Sequence, residues 1–452
     1  MPIQKTSTLV KADHHRPRVI QCNAFDEVLR EVPVAVAFYY KDAVDGETLK
    51  QSLKVALEAF DLFSARLVYM DDRFCIDCDN QGAGFSIVNH QFPMNDVLQD
   101  QFNPIYSELL FEQINPKTVI KRKEAVLTAR VNYFNDGSMC LAMVWHHAIG
   151  DMQTFMSFMR AWSNAFSGDV TVAPLMVDDR HEHMIKQLAR NDNDNESGVR
   201  KIGVLEGLKL LYFMKFKRNS QRWVQFYFSD NEIDNLHRAY NQELGHFISK
   251  NDALSAHILS VFTQEIPQKG QIKGRGLDMA INFRGRTSLD QNLAGNMVST
   301  VKVKCEPDDS PVQLARQIRE KVNHYADKHL DYYATVDYIE KHGGRKKIAQ
   351  FVPDWLNPYG ESLLLTSWAN FGVYDLSFEG QTPCYFTTMG PALFPWITSL
   401  YEGPNNQGLI YTASLPNEVS DSMIRTRLLS KMNQYRDEDE VLPDLFNHFS
   451  SC

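Results

Sequence analysis

The sequence of 452 residues is longer than one hydrophobic core usually serves, so two domains are expected. A formal net charge of -9 without a long basic stripe argues against nucleic acid as the main partner, because phosphate binding requires clustered Lys and Arg. With 44% hydrophobic residues but no apolar run near the ~18 to 20 residues of a membrane span, we expect no transmembrane segment.

The amino-terminal part predicts strands alternating with helices, as in an α/β fold. Residues 33–40 form a continuous apolar run that is typical of a buried strand. Asp45 then has the position of an N-cap for a helix with one apolar face. Residues 65–88 alternate apolar and polar positions around turn signals, which predicts short strands. The face of the predicted helix is formed by Leu49, Leu53, Leu57 and Phe60.

The seven cysteines are an odd number and are scattered without framework spacing, which indicates reduced thiols. The amino terminus lacks the apolar centre of a secretory signal peptide, so a cytoplasmic location is expected. Cys75 and Cys78 form an isolated CxxC pair within a strand-like alternation. We therefore expect a plain strand there and no metal site.

A predicted hairpin leads to the strongest functional signal of the sequence. Strand-like residues 125–134 and 139–145 flank an Asn-Asp-Gly-Ser turn whose composition suits positive φ. The second strand therefore ends at His146 and His147, and a helix should begin near Asp151.

A neutral imidazole at such a position removes a proton from an alcohol or amine at physiological pH. This assists attack on a thioester, and the resulting oxyanion needs donors already aimed at it. The sequence has neither a GxSxG elbow nor a GxxxxGKS/T phosphate loop, which argues against serine hydrolases and nucleotide-dependent enzymes. Taken alone, a bare HxxxD pattern favours two buried structural histidines, because the pattern often occurs by chance. A metal pair is disfavoured because adjacent strand residues face opposite sides.

A change of composition predicts a crossover at 173–222 between an N-terminal domain, 1–172, and a C-terminal domain, 223–452. Within it, residues 190–198 are a polar run with too few apolar side chains to be buried.

The crossover also contains the apolar stretch Leu208–Met214, followed by Lys215, Lys217 and Arg218. This pattern fits either a packed helix or a helix on a membrane surface. We expect the packed helix, because short apolar runs usually belong to a core.

The second half repeats the alternation of strand-like and helix-like segments. The predicted strands are 223–228, 277–283, 362–368, 383–388 and 408–413, and the predicted helices are 251–262 and 417–435.

Several motifs in the same order resemble the BAHD acyltransferases, which are coenzyme A-dependent enzymes related in fold to chloramphenicol acetyltransferase. The resemblance covers nearly the whole chain, and ordered matches in both halves are more specific than HxxxD alone. Phe25-Asp26 with Val34 to Tyr40 resembles the family's first strand, and Leu49 to Leu67, ending in Ser64-Ala65-Arg66-Leu67, resembles its first helix and AGRL segment. The other similar segments are His147 to Asp151 (HxxxD), Asn251 to His257 (the start of a helix), Asn282 to Arg286 (the RxR element), Gly295-Asn296 (the GN element), and Ser367-Trp368 through Tyr374-Asp375.

The resemblance implies two chloramphenicol-acetyltransferase-like domains, each a mixed sheet flanked by helices, with a substrate tunnel between them. It implies that His147 is the general base and that His146 has no assigned chemical step. Asp151 is expected to turn away from the imidazole and to form a structural ion pair with Arg284, or with Arg286 as second choice.

The resemblance also implies acyl-CoA as co-substrate, no tightly bound cofactor and no metal. Ser249, Lys250 and Asn296 occupy places where related enzymes contact coenzyme A. Ser367 and Trp368 occupy places that line the tunnel near the reacting carbonyl, where a hydroxyl donates to an oxyanion. The acceptor is expected to be a small-molecule alcohol or amine, and the enzyme a monomer.

One motif departs from the family pattern. Where many plant members have DFGWG, this chain has Ser-Phe-Glu-Gly-Gln at 377–381. The phenylalanine is kept as Phe378, and so is the downstream Pro383, but the Asp and the Trp are lost. A second hypothesis is a condensation-like enzyme with a carrier-protein-bound donor, although its glycine after the Asp is Met152 here. A third is a catalytically silent protein that binds a small molecule in the tunnel.

Overall fold

The computed structural model describes residues 5–190, 197–217, 220–268, 270–330, 332–357, 359–360, 362–388, 394–419 and 422–443. Its strands are β1 Lys5–Val10, β2 Arg18–Gln21, β3 Pro33–Tyr40, β4 Arg66–Met70, β5 Arg73–Cys78, β6 Ala83–Asn89, β7 Leu127–Tyr133, β8 Met139–His146, β9 Val199–Lys201, β10 Gln221–Phe228, β11 Arg275–Asn282, β12 Val298–Cys305, β13 Phe351–Pro353, β14 Leu363–Ser367, β15 Tyr385–Thr388, β16 Ile397–Glu402 and β17 Leu409–Pro416.

The helices of the described residues are α1 Ala24–Val28, α2 Gly46–Ala59, α3 Met94–Gln99, α4 Pro104–Leu110, α5 Pro116–Val119, α6 Met152–Ser167, α7 Arg180–Gln187, α8 Val204–Tyr212, α9 Asp230–Leu244, α10 Lys250–Glu265, α11 Pro311–Asn323, α12 Tyr332–Lys341 and α13 Ser422–Met432. A π-helical turn, Phe213–Lys217, continues α8. None of the helices in the described ranges is long and apolar enough to span a bilayer.

The first sheet has the strand order β1-β6-β7-β8-β3-β15 and is mixed, because β6 and β7 run parallel while the other neighbours are antiparallel. Every residue of β8 is buried. Helices α2 and α6 pack on each other, and the Trp162 indole of α6 donates to the Leu49 carbonyl of α2 at 3.2 Å. This arrangement holds the end of β8, and with it His146, inside the first core.

The second sheet has the order β10-β17-β16-β14-β11-β12 and is also mixed, with β14 parallel to both β11 and β16. Helices α9, α10, α11 and α13 pack against one another beside it. Small sheets formed by β2-β5-β4 and β9-β13 complete the fold. The molecule is therefore a mixed α/β protein with two large sheets, as predicted.

The two halves of the sequence exchange elements. Strand β15 comes late in the chain but pairs with β3 in the first sheet, whereas Phe25 and Val28 of α1 are buried in the second core. The domain limits at 172 and 223 stay a prediction.

Most predicted elements exist where the sequence pattern placed them. Residues 33–40 are β3, and Asp45 caps α2 by accepting a hydrogen bond from the Thr48 amide at 2.7 Å. The predicted hairpin is β7 and β8, whose turn contains Gly137 at φ +85°. The segments predicted in the second half overlap β10, α10, β11, β14, β15, β17 and α13. Cys75 and Cys78 both lie in β5, as expected for a strand.

Two predictions of local structure were wrong. Phe25 and Asp26 lie in the short helix α1 and not in a strand, because Asn23 and Asp26 form a capping box that starts a helix. The packed helix expected at Leu208–Met214 is instead mostly exposed, because no residue of α8 is buried and Phe213 is the only buried side chain of this segment. Most of the polar run 190–198, namely 191–196, lies outside the described residues, as do Arg218 and Cys452.

Candidate active site

The HxxxD segment connects β8 to α6. His147 begins a 3-10 turn that ends at Ile149, and Asp151 is the N-cap of α6, accepting from the Thr154 amide at 3.1 Å. Position 150 requires glycine because the backbone lies close to Thr154: a Cβ at Gly150 would be only 2.7 Å from the Thr154 Cβ. The loop is therefore packed tightly against the first turn of α6.

Asp151 forms a buried ion pair with Arg284. The Arg284 Nη1 donates to Asp151 Oδ2 at 2.7 Å, and the two side chains are 2% and 3% exposed. Burial raises the pKa of the Asp151 carboxyl, but the charge and hydrogen bonds of Arg284 outweigh burial, so the net pKa is lower than usual. Arg286, the second-choice partner, is exposed.

The segment that follows the RxR element docks on the same loop. The Gly295 carbonyl accepts from Arg284 Nη2 at 2.7 Å, and the Met297 amide donates to Asp151 Oδ2 at 3.0 Å. Thr154 Oγ1 accepts from the Gly295 amide at 3.1 Å. Residues from both halves of the chain therefore fix one loop.

Asn296 orients the imidazole of His147. The Asn296 Nδ2 donates to Asp26 Oδ1 at 2.7 Å and to the His147 carbonyl at 2.8 Å, so this atom is the amide nitrogen. The remaining Oδ1 lies 2.8 Å from His147 Nδ1 and must accept. Nδ1 therefore carries the proton, and Nε2 carries the free lone pair.

Asn296 was predicted to contact coenzyme A, but the structure places it differently. Its side chain is 0% exposed, and its amide is engaged by Asp26 and His147. A buried amide with these partners has no face for a co-substrate. The side chain of Asn296 is instead hydrogen-bonded to His147 and Asp26.

A second buried ion pair lies behind Asn296. Arg180 Nη1 donates to Asp26 Oδ2 at 3.1 Å, with the two side chains 2% and 0% exposed, and Arg180 Nη2 donates to the Ile149 carbonyl at 3.0 Å. Burial lowers the pKa of Arg180, but the carboxylate of Asp26 outweighs burial and raises it overall. The sequence motifs did not indicate either residue as part of the site. The capping box at Asn23 was the available signal for Asp26, and Arg180 has none in its local sequence.

The two adjacent histidines differ in environment. His147 is partly exposed, and burial lowers the pKa of its imidazole, although its own carbonyl, the charge of Asp151 and the bond with Asn296 partly offset this. His146 is fully buried, and burial lowers its pKa to about 3. Its Nδ1 accepts from the Ala148 amide at 3.3 Å. Both imidazoles are neutral at physiological pH, but only His147 reaches the surface of the loop.

The residues predicted to contact coenzyme A at α10 lie at its amino-terminal end. Ser249 is the N-cap, and its hydroxyl accepts from the Asp252 amide at 3.2 Å. Lys250 is exposed and pairs with Asp234. Their contact with coenzyme A stays a prediction.

The predicted tunnel residues Ser367 and Trp368 are half-buried at the end of β14. The Trp368 ring lies 6.4 Å from that of Phe386 on β15, so it packs toward the first core. Their role at the reacting carbonyl stays a prediction.

The eroded motif Ser377–Gln381 is anchored in the first core. Phe378 is 0% exposed, and its ring lies 5.5 Å from each of the rings of Trp162 and Phe166. Glu379 and Gly380 form a tight turn at φ +54° and +76°. This segment therefore packs against the side of α6.

Comparison with known proteins agrees with the fold. The family model described as Transferase family matches residues 2–423, and the chain belongs to this family, the BAHD acyltransferases. It is 22% identical over 443 residues to epi-neemfruitin B synthase of Melia azedarach, covering 92% of this chain and 94% of that protein. It is 22% identical over 434 residues to acetyl-CoA-benzylalcohol acetyltransferase of Clarkia breweri, covering 88% and 90%.

Among solved structures, that of TRI101 of F. sporotrichioides, complexed with coenzyme A and T-2, superimposes with a TM-score of 0.70 at 15% identity. The match covers 90% of this chain and 98% of that one. At this identity the likeness establishes the fold. The protein is therefore a BAHD-fold acyltransferase family member.

Proposed function

We propose that this protein transfers an acyl group from a coenzyme A thioester to a hydroxyl group of a small molecule, with His147 as general base. The observation that carries the proposal is the hydrogen bond from His147 Nδ1 to Asn296 Oδ1, because it leaves Nε2 unprotonated and fixes the plane of the ring. The names of relatives support it, since one is an acetyl-CoA-benzylalcohol acetyltransferase. Structures of the fold complexed with coenzyme A also support it.

The proposed reaction is a direct displacement. The acceptor oxygen attacks the thioester carbonyl carbon while its proton passes to His147 Nε2, and a tetrahedral oxyanion forms. The C–S bond then breaks, and His147 returns the proton to the departing sulfur, which gives free coenzyme A and the ester. No covalent acyl-enzyme is needed. An amine acceptor would follow the same steps and give an amide.

The surrounding residues have separate proposed roles. Asp26 and Asn296 hold the imidazole in the required tautomer, whereas Asp151 with Arg284 braces the loop. We keep Ser367 and Trp368 as the proposed lining near the oxyanion, and Ser249 with Lys250 as proposed contacts of the co-substrate.

The experiment measures free thiol released from acetyl-CoA in the presence of a panel of alcohols and amines. We expect release with at least one acceptor, and a loss on the order of 10² to 10⁴-fold in kcat for His147→Ala. His90→Ala is the matched control, because His90, which directly follows β6, is a buried histidine bonded to Asn132 of β7. Equal turnover of His147→Ala and the native protein would overturn the assignment.

Calorimetry with acetyl-CoA separates the proposal from the two other hypotheses. We expect binding of the free thioester together with turnover. Turnover only with a carrier-bound acyl group would identify a condensation-like enzyme, and binding without any turnover would identify a silent binding protein. Either result would overturn the proposed function.

A further inference from the structure

Helix α8 of the crossover exposes an apolar stripe to solvent. Its exposed apolar residues recur at the spacing of one helix face, at i, i+1, i+4, i+7, i+8 and, across the π turn, i+12. A surface helix normally turns such a face toward the core. The stripe consists of Val204 (85% exposed), Leu205 (77%), Leu208 (58%), Leu211 (66%), Tyr212 (53%) and Phe216 (63%).

The opposite face of the helix fixes this orientation. Phe213 is buried and its ring lies 5.7 Å from that of Phe394 in a stacked geometry. The Tyr359 hydroxyl donates to the Lys209 carbonyl at 2.9 Å, and Glu206 pairs with Arg200. Because these contacts all lie on the body side, the stripe does not turn inward by simple rotation of the helix.

The stripe is bordered by positive charge in a chain that is otherwise acidic. Lys209, Lys215 and Lys217 are exposed, and Glu206 is the only acidic residue of 201–217. The whole chain has a net charge of -9. A local cluster of lysines beside exposed leucines is therefore a feature of this segment and not of the overall composition.

We propose that the α8 stripe docks on the surface of an anionic phospholipid bilayer. The leucines and aromatic residues would enter the boundary between headgroups and acyl chains, and the lysines would contact anionic headgroups. A second copy of the chain is a poorer partner, since a two-fold contact through this face would bring the lysines of both copies together. The helix lies on the membrane and does not cross it, since no described helix is long enough to span.

The test is flotation of the purified protein with phosphatidylcholine vesicles that contain about 30 mol% phosphatidylserine, against vesicles of phosphatidylcholine alone. We expect a bound fraction with the anionic vesicles that falls sharply at about 0.5 M salt. The assay contains no substrate, so its outcome is independent of acyl transfer. Absence of binding to the anionic vesicles would overturn the proposal.

Two pairs of substitutions test the stripe itself. Leu205→Glu with Leu208→Glu should lower the partition coefficient at least about tenfold. Its matched control is Val170→Glu with Val172→Glu, which changes two apolar residues that are 83% and 71% exposed and do not belong to α8. Lys215→Glu with Lys217→Glu should also lower binding at least about tenfold. Its control is Lys121→Glu with Lys123→Glu, an exposed pair at the same spacing.

The comparison of these variants decides the outcome. Circular dichroism should show unchanged folds, because every substituted side chain is exposed. Equal loss in the test and control pairs would indicate non-specific charge effects and overturn the assignment to α8. The protein could instead fail to bind vesicles but self-associate, with Leu205→Glu and Leu208→Glu abolishing the self-association. This result would overturn the membrane proposal and identify a second copy of the chain as the partner of the stripe.

Discussion

Two buried ion pairs flank His147, and they differ in how they reach it. Asp151–Arg284 and Asp26–Arg180 are both almost fully shielded from solvent, and each joins residues that are distant in sequence. Asp26 reaches the imidazole through hydrogen bonds, by way of Asn296. Asp151 instead bonds the amides of Thr154 and Met297, and acts on the imidazole through its charge.

Two ion pairs of equal burial and equal charge therefore need not act in the same way. The Asp26 side selects the tautomer and the orientation of the ring, because its donor and acceptor atoms form a directed chain. The Asp151 side holds the loop and the start of α6. The two sides should therefore separate in experiments that measure stability and rate independently.

The largest expected effect is the loss of stability in Asp151→Ala. Arg284 would keep a buried charge without its carboxylate, and α6 would lose its N-cap, so the free energy of unfolding should fall by about 3–5 kcal/mol. Urea denaturation measures this change. Arg286→Ala is the control, because an exposed arginine should change stability by no more than about 0.5 kcal/mol. A similar loss in both variants would contradict the bracing role.

The next effect is a loss of rate in Asn296→Ala. Without the acceptor at Nδ1 the imidazole can rotate, and we expect kcat to fall roughly 100-fold, about 2.7 kcal/mol. The loss of buried hydrogen bonds should also lower stability by about 1–3 kcal/mol.

Asn132→Ala controls for that loss of stability. Asn132 is also 0% exposed and its amide is bonded to His90 and to backbone carbonyls. It should lose stability to a similar extent while turnover per folded molecule stays unchanged. If both variants lost rate equally, the positioning role of Asn296 would be rejected.

A smaller effect concerns His146, which belongs to neither ion pair. Its pKa is about 3 in the folded protein and about 6.5 when unfolded, so it contributes stability above pH 6.5 that is lost as the pH falls toward 3. From about pH 7 to about pH 5 this loss is about 2 kcal/mol. Unfolding free energies measured at both pH values should show that the native protein loses this much more than His146→Asn. Parallel losses would show that another group causes the acid sensitivity.

The smallest effect is a shift in the pH dependence of the reaction in Asp151→Asn. The charge of Asp151 raises the pKa of His147, so its removal should lower that pKa. The rate is lost when His147 becomes protonated, and the acid limb of kcat/KM should therefore move to lower pH. A shift of the acid limb to higher pH would contradict the expected effect of the Asp151 charge on the pKa of His147.

The sequence predicted much of the fold but less of the site. Hydrophobic periodicity located β3, β8, α6 and α10, because each has a continuous or one-sided apolar pattern that does not depend on distant residues. It did not identify β12, β16 or α11. The pairing of β15 with β3 across the two halves also has no local signal, since strand order depends on the assembled core.

The order of the motifs along the chain was enough to indicate the family, the HxxxD loop and the two candidate partners of Asp151. The hydrogen bonds that join Asn296 and Asp26 to His147, and the outward direction of the apolar face of α8, became visible only in the folded chain. Both depend on contacts between distant residues. A hydrogen bond or an exposed face is defined by what the rest of the chain places beside it, and periodicity and spacing record only the neighbours along the sequence.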